Sequence, residues 1–171
     1  MIYISSNPVP ETLSDRFYKT IPIWKYEWNN VYKTVLPHSV YYYTLKVYKK
    51  YPDKRFIIHF LQPHLPFVDG FCKGLDAIQI YSLLRQGKIS KDDFLKAYMN
   101  NIREALVYVE KLVEILDGKI VITSDHGEAF GEPLHKLIPY KVYGHPPYIR
   151  IKPLIEVPWF ETQGKGKNKE N

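Results

Sequence analysis

Asp125-His126-Gly127-Glu128 brings a carboxylate, an imidazole and a second carboxylate into four consecutive residues. Asp125 and His126 together could hold a divalent ion. A mixed oxygen–nitrogen pair suits Zn²⁺ or Mn²⁺ better than Ca²⁺ or Mg²⁺, which prefer oxygen throughout. Adjacent residues on a straight strand point to opposite faces, so joint ligation requires a bend, and Gly127 offers the backbone freedom for one. Taken alone, the dipeptide reads first as a polar strand-to-loop junction in which Asp125 caps a turn. What raises its interest is a second set of ligand-capable residues, Gln62 and His64, also placed after an apolar run.

Strands must deliver these residues. Residues 55–61 form a nearly continuous apolar run, the pattern of a parallel strand covered on both faces. They end in the proline-bracketed loop Gln62-Pro63-His64-Leu65-Pro66-Phe67. Residues 119–124 form a second such run and lead directly into Asp125. In open α/β sheets ligands bind beyond the carboxyl ends of the strands, so both runs place their polar residues where a site belongs. Two helices are expected between them. One covers 75–85 and stops at Gly87. The longer one is opened by Ser90, with Asp93 reaching back as in a capping box, and ends at Gly118. Along it Phe94, Leu95, Tyr98, Ile102, Leu106, Val109, Leu112 and Val113 recur at helical spacing and define a packed face. Upstream, residues 2–6 read as a strand halted by Asn7-Pro8 and Pro10, residues 21–28 as an extended edge, and Ser39 as the cap of a helix to Lys50. Residues 148–158 read as a last strand or extended stretch. Two buried strands joined through a long helix imply parallel pairing with right-handed crossovers. The expected fold is α/β, a three-layer helix–sheet–helix sandwich with a mainly parallel sheet, in one domain over residues 1–160.

The block Val121-Ile122-Thr123-Ser124-Asp125-His126-Gly127-Glu128, then Phe130-Gly131-Glu132 and Tyr143-Gly144-His145-Pro146, resembles the second metal-binding motif of the alkaline phosphatase/sulfatase superfamily. Pro63-His64-Leu65-Pro66-Phe67 is similar to that superfamily's Pro-His-x-Pro-aromatic segment. Tyr3-Ile4-Ser5 with Asn7-Pro8, and Val157-Pro158-Trp159, resemble segments of archaeal sulfatase-like proteins. The resemblance spans residues 2 to 160. It implies an alkaline-phosphatase-like fold that hydrolyses or transfers phosphate or sulfate esters. Asp125 and His126 would ligate the metal, while His145 and His64 would face the phosphate or sulfate group. Glu128 would support His126 from behind, or stand as an exposed loop carboxylate; Glu132 is less defined. The other histidines fit such roles poorly. His59, inside an apolar run, reads as a hydrogen-bonded core histidine, His135 as a loop residue open to ligation, and His38 as surface.

The resemblance is incomplete. The superfamily uses an N-terminal strand ending in an acidic ligand, with a Thr, Ser or matured Cys nucleophile close after it, and no Asp or Glu occurs here before Glu11. Cys72 lies outside any sulfatase Cys-x-Pro-x-Arg pattern and reads as a small packed residue. The domain is therefore expected to be N-terminally truncated, leaving a sheet edge to which another chain could pair. One cysteine excludes a disulfide framework. No apolar run approaches the roughly 20 residues of a membrane span, and no secretory leader is evident, so a soluble, cytoplasmic protein is expected. The net charge of +6 falls partly on residues 161–171, read as a disordered basic tail. No basic stripe with interleaved aromatics signals nucleic-acid binding. Three readings follow: an incomplete metallohydrolase, an inactive relative that binds an anion, metal or protein, and an oligomerising structural protein.

Overall fold

The computed structural model describes residues 1–8 and 15–166. Pro10, and residues 167–171 of the expected tail, lie outside them. The described chain is mixed α/β with elements in the order β1 (Ile2–Ser5), β2 (Lys19–Pro22), α1 (Trp24–Glu27), β3 (Trp28–Asn29), β4 (Thr34–Val35), α2 (Pro37–Lys50), β5 (Phe56–His59), α3 (Ala77–Arg85), α4 (Lys91–Ile115), β6 (Asp117–Thr123), β7 (Ala129–His135), β8 (Ile138–Gly144), α5 (Lys152–Ile155) and β9 (Trp159–Lys165). Among them no helix is long and apolar enough to cross a membrane.

β1 is buried at every position and lies at the centre of a parallel sheet, between β2 and β5. Its register sets Ile2 beside Phe56 and Ser5 beside His59, so the two strands end together. Ile2, Ile4, Ile23, Val35, Val40 and Val47 form the core under this sheet, with α2 packed over β1 and β5. Pro37, not Ser39, opens α2; a proline lacks only the N–H that a first helical residue leaves unbonded. Ser39 instead donates its hydroxyl to Glu27 at 3.0 Å. α3 begins with a capping box formed by Asp76 and Gln79. In α4, Ser90 accepts from the Asp93 amide as expected.

Several expectations are corrected. β6 is not a buried parallel strand: it pairs antiparallel with β9, and its residues alternate between exposed and half-buried. Lys119, Val121 and Thr123 share the exposed face, a period of two that the apolar run concealed. β9 runs on into residues 161–165 of the expected disordered tail, because Trp159 to Lys165 complete the backbone hydrogen bonds of β6. The parallel β5 is shorter and less covered than expected, with Ile57 39% exposed. Residues 148–158 include the short helix α5 in place of a strand. The buried residues of α4 are Phe94, Ala97, Asn101, Ala105 and Leu112, whereas Leu106 is 46% exposed.

Candidate metal centre

The hairpin β7–β8 positions the site. Ala129 opposes Gly144 in the antiparallel register, so the residues just outside that pair, Glu128 and His145, face each other. His145 Nδ1–H donates to both Glu128 oxygens, at 3.1 and 3.2 Å. The Tyr81 hydroxyl, from α3, donates to Oε1 of the same carboxylate at 2.9 Å. Glu128 is thereby held with only 7% of its side chain exposed. The turn after β6 brings in His126, whose ring centroid lies 4.1 Å from that of His145. The loop after β5 brings in His64, 5.3 Å from His145.

One ligand atom each from His126, Glu128 and His145 lies within 4.8 Å of the others, and the group could hold a metal ion. Two imidazoles and a carboxylate form the donor set of many catalytic zinc sites, which keep a fourth position for water or substrate. The tautomers agree with such a role. His126 Nδ1–H donates to the Gly127 carbonyl at 2.8 Å and His64 Nδ1–H to the Leu65 carbonyl, which leaves each Nε2 lone pair free.

The sequence-derived candidates are thus only partly gathered. His126, His145 and His64 come together. Glu128 lies on His145 rather than behind His126, because the hairpin register pairs 128 with 145. Asp125 is 67% exposed in its side chain and accepts the amide of His126 at 3.1 Å, outside the converging three. Glu132 folds back onto the Phe130 amide at the hairpin bulge. His135 sits at the far end of the hairpin, accepting from the Leu137 amide. Gln62 points inward and donates to the Val35 carbonyl at 3.0 Å. Gly127 is needed for space: a Cβ there would lie 1.9 Å from the Pro153 carbonyl oxygen of α5. Its φ is not positive, so the conformational freedom inferred from sequence is not what the site requires.

Tyr81 is the residue sequence reasoning missed. On α3 its spacing is that of an ordinary packing aromatic, and nothing local marks a hydroxyl aimed at a distant carboxylate. Burial and the Glu128 charge raise its pKa far above the ordinary 10, so it remains a donor. Burial, with Glu128 nearby, likewise pushes Tyr98 up to about 12. The hydrogen bond to Glu128 raises the His145 pKa against the opposing effect of burial. His59, bonded to the Tyr3 hydroxyl at 2.7 Å, goes the other way. Burial lowers its pKa, Asp125 opposes that and His126 reinforces it. No protein-family model, curated protein or solved structure matches the chain.

Proposed function

We propose that the chain is the metal-bearing part of a sulfatase-like metallohydrolase of the alkaline phosphatase superfamily, with the three-layer sandwich of that class. The observation that carries the reading is the convergence of His126, Glu128 and His145 from two separate segments, with His64 alongside. The Ser-Asp-His-Gly-Glu and Gly-His-Pro segments support it from the sequence. Zn²⁺ or Mn²⁺ fits the donors best, with Asp125 near enough to His126 to join on a small turn. A bound cation would stabilise negative charge developing on a phosphoryl or sulfuryl oxygen. His64, in its doubly protonated form, would donate the Nε2 proton or a hydrogen bond from it to a non-bridging or leaving oxygen of the ester. Reaction also requires a nucleophile, and we assign that to a further strand pairing at an open edge of the parallel sheet. Among the described strands β2 and β5 each pair only with β1.

A second reading, a centre that binds metal and anion without turnover, is favoured by one observation. Three hydroxyls near the strand ends are committed to backbone: Ser5 donates to Asn7, Ser6 to His59 and Thr123 to Pro158. Calorimetric titration with Zn²⁺ and Mn²⁺, followed by assay on aryl phosphate and aryl sulfate esters, tests both. Binding of one ion, lost in His126→Ala and His145→Ala, is expected. Absence of binding overturns the proposal; turnover once a segment supplying the further strand is added selects the first reading, and metal binding without turnover even then selects the second.

A further inference from the structure

We infer that Tyr81 is a positioning residue for this metal centre: by holding Glu128 it fixes which nitrogen His145 presents. The inference rests on the proposed metal site and extends it to a residue of α3. Tyr81, Glu128 and His145 form a chain in which the hydroxyl donates to Oε1 and His145 Nδ1–H donates to the same carboxylate. A metal-binding histidine commonly gives its second ring N–H to a carboxylate, which sets the tautomer and the ring direction. Here Glu128 occupies Nδ1 and leaves Nε2 of His145 as the nitrogen open to an ion. In that arrangement Glu128 supports the ring instead of ligating. His126 and His64, whose ring centroids lie 4.1 and 5.3 Å from that of His145, would supply the other nitrogens. Without the phenol, the carboxylate is free to turn about its own axis and the imidazole is free to change tautomer.

Tyr81 is itself held from two sides. Its ring lies against Gly144, where a Cβ would approach ring atom Cε2 to 3.0 Å, and φ of +75° already favours glycine. One turn further along α3, Arg85 lies over the Tyr143 ring at 5.6 Å. The helix is therefore docked on the strand that leads into His145, and the hydroxyl cannot drift from Glu128 without moving that strand. Tyr98 is a matched comparison, since it lies in the same aromatic cluster against Phe130 and feels the Glu128 charge.

The test compares the wild-type chain with Tyr81→Phe and Tyr98→Phe. Ring-nitrogen NMR shifts of His145 report the tautomer in the metal-free protein at a pH where the ring is neutral, and Zn²⁺ titration reports affinity. For Tyr81→Phe we expect a mixed tautomer and an affinity reduced by about 10-fold or more; for Tyr98→Phe, neither change. A Tyr81→Phe protein with wild-type tautomer and affinity overturns the inference, even if its melting temperature falls, because that result describes packing alone. If the wild-type protein binds no Zn²⁺, the proposed function fails. The tautomer comparison still decides whether Tyr81 sets the ring.

Discussion

Two tyrosines, one on β1 and one on α3, bond to histidines or to the carboxylate beside one, and those histidines have pKa values displaced in opposite directions. At the parallel-sheet end, Tyr3 on β1 bonds directly to His59 on β5, with the two rings stacked 6.0 Å apart. At the hairpin end, Tyr81 reaches His145 only through Glu128. Among the described residues no carboxylate is bonded to His59, so burial governs and the neutral ring is favoured. His145 has one against its N–H, and the hydrogen bond outweighs burial. The contrast separates a buried histidine held neutral by its surroundings from one whose carboxylate partner favours the charged ring. Burial alone does not distinguish them; the identity of the second partner does.

The largest effects should break this contrast at the hairpin end. Replacing His145 or Glu128 by Ala is expected to weaken Zn²⁺ binding by about 100-fold, roughly 2.8 kcal/mol, as read by calorimetric titration. His59→Asn should leave the affinity within a few-fold of wild type. If His59→Asn loses metal as His145→Ala does, the division between the two ends is wrong. Next comes Gly127→Ala, which drives a methyl group into the Pro153 carbonyl oxygen. Overpacking against backbone of this kind costs about 2–3 kcal/mol. Denaturant titration should register that loss, with α5 displaced from the turn that carries His126. Smaller still is Tyr3→Phe. It removes one hydrogen bond, worth about 1 kcal/mol, and should leave Zn²⁺ affinity unchanged where Tyr81→Phe does not.

The same contrast explains what could be read from the chain. The residue types at His126, Glu128 and His145 stand out in the sequence, two of them within one short block and the third in a Gly-His-Pro segment, but their grouping does not. The sequence pairs Asp125 with His126 for the ion, sets His145 against the anion, and leaves Glu128 as a support of His126 or a loop carboxylate. Nor is the hairpin that joins them legible. Gly131 and Pro133 interrupt its first strand, residue types that argue against a strand interior and here accompany register shifts. The packed face of α4 is legible except at Leu106, which is exposed, and at Asn101, which is fully buried, an outcome that hydrophobic spacing cannot foresee. The Asn101 side chain accepts from the Val68 amide and donates to the His64 carbonyl, tying the helix to the loop of the site. Pairing of β6 with β9 was hidden for a similar reason. A strand's partner is set by tertiary contact, and residues 159–165 carry too many exposed polar side chains to announce themselves as one.

The finest expected effect is the pH dependence of stability, and it should differ in sign between the two ends. The folded pKa of His145 lies above its ordinary 6.5. Its contribution is therefore fully present below about 6.5 and is lost as pH rises through the raised value. The folded pKa of His59 lies below 6.5. Its contribution is present above about 6.5 and disappears as pH falls through the lowered value. Unfolding free energies measured from pH 5 to 9 on wild type, His59→Gln and His145→Gln separate the two. His59→Gln should converge on wild type at the acid end, because there the native histidine must charge in a site that disfavours charge. His145→Gln should converge at the alkaline end, where the ion pair with Glu128 no longer forms. Zn²⁺ binds imidazole in competition with protons, so its addition should penalise acid pH through His145 and leave the His59 arm unmoved. If both variants converge on wild type at the same end, the carboxylate between Tyr81 and His145 does not have the role given to it here.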